Sequence, residues 1–220
     1  MTARILIHTR NLLFPHESVV DGVRALQELG ADHGFEVDST DEPSEFRPGS
    51  LRRYAAVVFL STGGDVLDEP GRDALRAHLG AGNGWMGVHC AAGTEMEWPW
   101  YEGLIGARFH SHPPIQTATV RTADGDHPAT SHLPPAWTWT DEWYNFRTDP
   151  REQGARVLLT VDEDGYEGGL MGPGHPIAWS GEHDGAPTFY TSLGHAPEAY
   201  RDACFRTHLL GGVRHALGEK

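Results

Sequence analysis

Residues 84–93 read GWMGVHCAAG. The apolar run Trp85-Met86-Gly87-Val88 is long enough for a buried strand, and small residues follow it at once. A short apolar run bounded by glycines has the pattern of a central parallel strand, which is covered on both faces. Small residues after such a strand permit a sharp strand-to-helix turn that lifts one side chain into a cleft, the geometry of a G-x-nucleophile-x-G elbow. In the register Gly87-Val88-His89-Cys90-Ala91, His89 takes the tip and Cys90 stands one place later. Ligands in open α/β sheets bind outside the carboxyl ends of the strands, so this turn is where a site is expected.

Working outward, Ile5–Ile7 reads as a first strand. Val19, Val23, Leu26 and Leu29 recur at helical spacing, which predicts a helix from Ser18, as N-cap, to a stop near Gly30. Phe35–Asp38 alternates like an edge strand, Asp41–Ser50 is a polar loop, and Tyr54–Leu60 is the strongest strand pattern in the chain. Ser61–Asp65 forms its strand-end loop, and Glu69–Gly80 is a second helix leading into the organising strand. This alternation of strands and helices is the signature of a parallel sheet with helices on its faces. Downstream, a short helix is expected over Trp98–Arg108, and extended segments over Ile115–Arg121, Trp137–Thr140, Arg156–Val161, Ile177–Ser180 and Thr188–Leu193. Pro197 is expected to open one continuous final helix. No repeat or interdomain linker interrupts the chain, so residues 1–220 are expected to form one domain.

A net charge of −14 argues against nucleic acid or an anionic membrane as partner. No apolar stretch reaches the roughly 20 residues of a membrane span, and no signal peptide is visible. Two cysteines, Cys90 and Cys204, make no disulfide framework, which fits a cytoplasmic location. The acidic surface and exposed aromatics are compatible with a homodimer.

Ionisable groups gather at the predicted strand ends. His89 reads as a general base or a metal ligand, against the alternative of a hydrogen-bonded turn histidine. Cys90 invites a nucleophile reading, but one place past the tip a small buried cysteine is the commoner outcome. His110 and His112 would share one side of an extended segment, and Pro113 fixes the chain after His112, which is the stronger candidate. Asp141 and Glu142 should point to opposite faces, one into the cleft and one into the structure, with Tyr144 two places on. Gly194-His195 ends a strand just before Pro197-Glu198, and His16 lies in the first strand-end loop. Thr62-Gly63-Gly64-Asp65 offers backbone N–H groups to an oxyanion or sugar hydroxyl. His127 and His175 each precede a proline and read as loop-shaping residues. No zinc signature, G-x-G-x-x-G or P-loop is present, so no nucleotide cofactor is expected.

Several stretches together resemble the trehalose-utilisation, or ThuA-like, family of the class I glutamine amidotransferase-like superfamily. They are VVFLSTGGDVL (57–67), GWMGVHCAAGTEMEWPWYEGLIGARFHSHP (84–113), DHPAT (126–130), DEWYNF (141–146), LLTVDE (158–163), HPIAWS (175–180) and FYTSLGHAPEAY (189–200). The resemblance implies a flavodoxin-like three-layer α/β sandwich, with a mostly parallel sheet and helices on both faces. In class I amidotransferases the elbow tip is cysteine, and a later strand ends in a catalytic histidine followed closely by glutamate. Here the tip is His89, and the late positions resemble His195 and Glu198, so glutamine hydrolysis is not expected. The family implies disaccharide catabolism beside a sugar dehydrogenase, on trehalose-like glycosides or their 3-keto derivatives, by hydrolysis, elimination or isomerisation. On that footing His89, His195, His112 and Glu142 are the expected catalytic residues. Asp141, Tyr144, Gly63, Asp65, Trp98 and His16 are expected to bind substrate. A divalent ion, zinc or manganese, would draw ligands from His89, His112 and His195. The alternatives are a non-catalytic sugar-binding or regulatory protein and a Cys90-dependent amidohydrolase.

Overall fold

The computed structural model describes residues 2–219. Eleven strands occur in chain order: β1 (Ala3–His8), β2 (Phe35–Thr40), β3 (Ala56–Leu60), β4 (Gly84–Val88), β5 (Phe109–Ser111), β6 (Gln116–Thr122), β7 (Ala136–Asp141), β8 (Asn145–Phe146), β9 (Arg156–Val161), β10 (His175–His183) and β11 (Ala186–Thr191). Five α-helices join them: α1 (Val19–His33), α2 (Pro48–Leu51), α3 (Glu69–Gly80), α4 (Pro99–Ile105) and α5 (Ala203–Ala216). Nine strands form one sheet in the order β2-β1-β3-β4-β11-β10-β9-β6-β7, and β5 pairs with β8 separately. The strands from β2 to β11 in that order run parallel, and the sheet continues antiparallel from β10 outward. The organising strand is therefore interior, and β2 is an edge, as its alternation implied.

The interior strands alternate in a way that their nearly continuous apolar sequence hides. On β3, Ala56, Val58 and Leu60 enter the core under α1 and α5, while Val57 and Phe59 enter the core under α3 and α4. β4 divides in the same manner, with Met86 and Val88 on one face and Trp85 on the other. Period two on a sheet covered from both sides gives two cores and three layers. Burying each of these large apolar side chains contributes about 1.5–3 kcal/mol. Gly84 is required where α5 ends against the sheet, because a Cβ there would stand 1.8 Å from the Ala216 carbonyl oxygen.

Helix boundaries differ from expectation in several places: α2 begins inside the segment read as a polar loop, α4 ends at Ile105 instead of Arg108, and two further differences have a clear packing or capping cause. Helix α1 runs past Gly30 to His33 and stops at Gly34, whose φ of 81° is the left-handed C-cap. Gly30 serves packing instead, since a Cβ there would meet the Phe35 carbonyl at 2.6 Å. The final helix is two pieces: a 3-10 turn over Pro197–Arg201, then α5. Asp202 separates them, extended in its backbone and capping α5 by accepting from the Phe205 N–H at 2.9 Å.

Candidate functional site

The site forms where the ends of β1, β4, β7 and β11 open on one side of the sheet. At the tip after β4, His89 has φ of 52°, a left-handed conformation costing about 1–2 kcal/mol for a residue with a side chain. The turn is held by the Tyr190 hydroxyl, which donates to the His89 carbonyl at 2.8 Å. His89 is wholly buried, and its Nδ1 stands 2.7 Å from the Ser192 carbonyl oxygen. A carbonyl only accepts, so Nδ1 carries a proton there and Nε2 is the nitrogen turned toward the cavity.

Four groups converge on that Nε2. They are the Tyr144 hydroxyl at 3.0 Å, His16 Nε2 at 3.1 Å, His195 Nδ1 at 3.4 Å and Glu142 Oε2 at 3.4 Å. Glu142 Oε2 also lies 3.3 Å from His195 Nδ1. Burial opposes the Glu142 charge, but the His195 and His89 imidazoles beside it outweigh burial and hold the carboxyl well below the usual carboxylate range. The same Glu142 bond raises His195. Burial, with His89 and His195 beside it, pushes His16 down to about 4, so its ring is neutral near pH 7. Burial also raises the Tyr144 phenol well above its ordinary value.

Asp141 and Glu142 divide as the strand geometry requires. Glu142 faces the cluster. Asp141, only 2% exposed, accepts from Trp139 Nε1, Glu142 N, Gly194 N and His195 N at 2.9–3.2 Å. It thus anchors the β11 turn that carries His195, and is a positioning residue where a substrate contact was expected. His195 takes Glu142 as its carboxylate partner, while Glu198 is exposed. Ser18 sits at the N-cap position of α1, but its hydroxyl donates to the Gly194 carbonyl instead of capping.

The cluster floors a cavity of about 850 Å³ lined by His16, His112, Glu142, Tyr144 and His195 among others. His112 Nδ1 stands 2.8 Å from the Pro113 carbonyl, which fixes the proton on Nδ1 and leaves Nε2 as acceptor, 3.7 Å from Glu142 Oε1. His110 is exposed and does not line the cavity. Gly63, Asp65 and Trp98 do not line it either. The Gly63 N–H donates to the Arg10 carbonyl and the Gly64 N–H to the Gly93 carbonyl, so neither glycine offers a free donor there. Asp65 lies near Arg72 at 3.7 Å, and Trp98 is buried under Trp100, Arg72 and Arg76. Cys90 touches the cavity but is 8% exposed; burial raises its thiol to about 11, and its polar neighbour is Asn11 Nδ2 at 3.8 Å. That is an inert thiol, not an activated one.

One group behind the site was missed. His175 Nε2 lies 2.8 Å from the Tyr144 carbonyl, and its Nδ1 faces Glu163 at 2.8 Å and the Tyr166 hydroxyl at 2.9 Å. It braces the segment carrying Tyr144. Nothing in the spacing of residues 144, 163, 166 and 175 signals this contact.

The donor set suits a divalent ion. His16, His89, Glu142 and His195 offer ligand atoms that all lie within 4.8 Å of one another. Two N or O ligands on one tetrahedral zinc stand about 3.3 Å apart, given bonds of about 2.0–2.1 Å; His89 with His16, His195 and Glu142, and His195 with Glu142, stand 3.1–3.4 Å apart, and the whole set lies within 4.8 Å. One lone pair on His89 Nε2 cannot serve four neighbours, whereas a shared cation can. The Ser192 carbonyl orients His89 as a backbone carbonyl commonly orients a metal-bound histidine. His16 replaces His112 in the expected ligand set, because His112 stands outside this group.

A histidine-tipped elbow on a mostly parallel sheet covered on both faces, with a histidine–glutamate pair beside it, defines a flavodoxin-like α/β sandwich whose elbow carries histidine. The chain belongs to the ThuA family, described as trehalose utilisation, whose profile matches residues 4–216. No curated protein matches it in sequence. Among solved structures it is similar to a ThuA-like protein from Bacteroides uniformis, with 24% identity, a TM-score of 0.81 and coverage of 97% of this chain and 91% of that one. A ThuA-like protein from Parabacteroides merdae gives 22% identity and a TM-score of 0.81, covering 100% of this chain and 91% of that one. The β-galactosidase of Bacillus circulans sp. alkalophilus shares the fold over 31% of its length and 100% of this chain, at 11% identity and a TM-score of 0.63. Among the described residues no helix is long and apolar enough to cross a membrane.

Proposed function

We propose that this protein is an acid–base enzyme of carbohydrate catabolism acting on 3-keto glycosides, 3-keto-trehalose among them. The observation that carries the reading is the convergence of three imidazoles, a carboxylate and a phenol on the floor of one cavity at the strand ends. Such a group is more than binding alone requires, and family membership supplies the carbohydrate context. A ketone acidifies the hydrogen on the carbon beside it. His112 Nε2, its lone pair free and Glu142 3.7 Å away, is suited to take that proton. The C–H electron pair first forms the carbon–carbon double bond of an enolate; that pair then shifts to make a double bond to the anomeric carbon as the ketone re-forms, and the glycosidic C–O bond breaks with its own pair left on the departing oxygen. The His112 imidazolium, steadied by Glu142, returns the proton to that oxygen. Without a metal, His195, whose positive form Glu142 favours, would face the ketone oxygen as charge grows there. A divalent ion held by His16, His89, Glu142 and His195 would polarise that ketone when bound. The substrate chemistry also implies an oxidoreductase that supplies the ketone.

The test is 3-keto-trehalose in D₂O, followed by NMR for deuterium beside the ketone and for released glucose. Wild type is expected to give both, and His112→Ala about 10²–10⁴-fold less. Binding with neither exchange nor release would sink the enzymatic reading in favour of a sugar-binding protein. Turnover abolished by Cys90→Ala alone would revive thiol chemistry.

A further inference from the structure

Most polar groups of the cavity gather at its buried floor, and its outer wall is mainly apolar. That wall carries Leu13, Phe14, Pro15, Met96, Phe109 and Ile115. Leu13, Phe14 and Ile115 are more than half exposed, at 54%, 65% and 51%. Large apolar side chains grouped at solvent around one opening mark a binding surface more often than chance. The segment bearing Leu13 and Phe14 is also built into shape. Asn11 Oδ1 accepts from the Leu13 N–H at 2.9 Å and the Phe14 N–H at 2.8 Å, and Asn11 Nδ2 donates to the Ser61 carbonyl at 2.8 Å. The Leu12 N–H donates to the Gly63 carbonyl at 2.9 Å, which ties the segment to the loop after β3.

Beyond the floor groups the polar side chains on this cavity are Glu17, which is exposed, and Ser111; among the described residues no Asn, Gln, Asp, Arg, Lys or Trp side chain lines it. A fully hydroxylated second sugar ring against Leu13, Phe14 and Ile115 would lose hydration and gain few hydrogen bonds in return. The histidines, Glu142 and Tyr144 suffice for one polar ring at the floor. Resting on the keto-glycoside reading, we infer that the preferred substrate joins one sugar ring to an apolar aglycone, of the aryl or alkyl glycoside class, whose aglycone lies against Leu13, Phe14 and Ile115. The reacting sugar is then recognised at the floor, and the wall selects the leaving group.

The test compares phenyl α-glucoside with trehalose, each also as its 3-keto derivative, on the full chain. Equilibrium binding is measured by calorimetry for wild type, Leu13→Ser, Phe14→Ser and Ile115→Ser. These side chains face solvent, and circular dichroism checks that the variants are folded. The expected result is binding of the phenyl compounds at least about tenfold tighter than the disaccharides, with each serine variant losing about tenfold on the phenyl compounds only. Equal binding of both classes, or variants that weaken both alike, would overturn the inference. A concentration-dependent dimer that dissociates in the serine variants, without the aryl preference, would also overturn it and give the wall to a second copy. Turnover is read separately. An aryl preference in binding with no turnover of either keto compound refutes the enzymatic reading while the wall assignment survives. Turnover of both at equal efficiency refutes the wall assignment and leaves the enzymatic reading standing.

Discussion

Replacing Asp141 by asparagine should be among the most damaging single-atom changes in this chain. Its two carboxylate oxygens each accept two N–H groups: Oδ1 from Glu142 and His195, Oδ2 from Trp139 and Gly194. An amide keeps one oxygen. Whichever way it turns, two of the four N–H groups face an NH₂ that cannot accept. Each buried donor left unpaired costs about 1–3 kcal/mol, so the pair costs about 2–6 kcal/mol. For a domain of 150–250 residues each kcal/mol lowers the melting temperature by about 2–4 °C, so a loss near the middle of that range lowers it by about 8–16 °C. Gly194, with φ of 112°, depends on this anchoring, and the loosened turn carries His195 out of register with Glu142. The assay is a thermal melt followed by circular dichroism, with urea unfolding at 25 °C beside it. An Asp141→Asn protein that melts within about 2 °C of wild type would refute the view that this carboxylate organises the turn.

Three further outcomes follow from the same geometry. Protein purified without a histidine tag or chelator should carry stoichiometric divalent metal by mass spectrometry, lost in His16→Ala and His89→Ala but retained in His112→Ala; loss in the His112 variant would return that residue to the ligand set. Burial holds His8, His78 and His208 near 4 against an ordinary 6.5. The folded state keeps these rings neutral while the unfolded chain protonates them, so their contribution is complete above pH 6.5 and falls away toward pH 4, by up to about 3 kcal/mol for each ring. Urea midpoints should therefore drop steeply over that interval, and a flat profile would contradict it. Cys90, with its thiol pushed up to about 11, should resist iodoacetamide at pH 7 while exposed Cys204 reacts, as peptide mass spectrometry can read; rapid labelling of Cys90 in the folded protein would show an activated thiol.

Much of the fold was legible because its signals are local. The apolar runs of β3 and β4, the Asp68-capped helix α3 over Glu69–Gly80 and the small residues after Val88 each report their own conformation. Local pattern misled where packing set the boundary. Gly30 looks like a stop but is small to admit Phe35, and Pro197 opens a 3-10 turn that Asp202 ends. In the site, His89, Glu142, Tyr144 and His195 were visible because each follows a strand pattern closely. Gly63, Asp65 and Trp98 were placed by loop chemistry alone, and their partners, Arg10, Arg72 and Trp100, turn them away from the cavity.

The sequence by itself determined that the chain is a doubly covered α/β sandwich with a histidine, not a cysteine, at its elbow. Periodicity and turn chemistry act over a few residues and can be read without the third dimension. Only the tertiary structure decided that His16, 73 residues before His89, faces the same point, that Asp141 serves the turn and Glu142 the cavity, and that the cavity has an apolar wall. Those facts depend on side chains from β1, β7 and β11 meeting at one end of the sheet. Strand order and loop paths set that meeting, and no spacing along the chain records it.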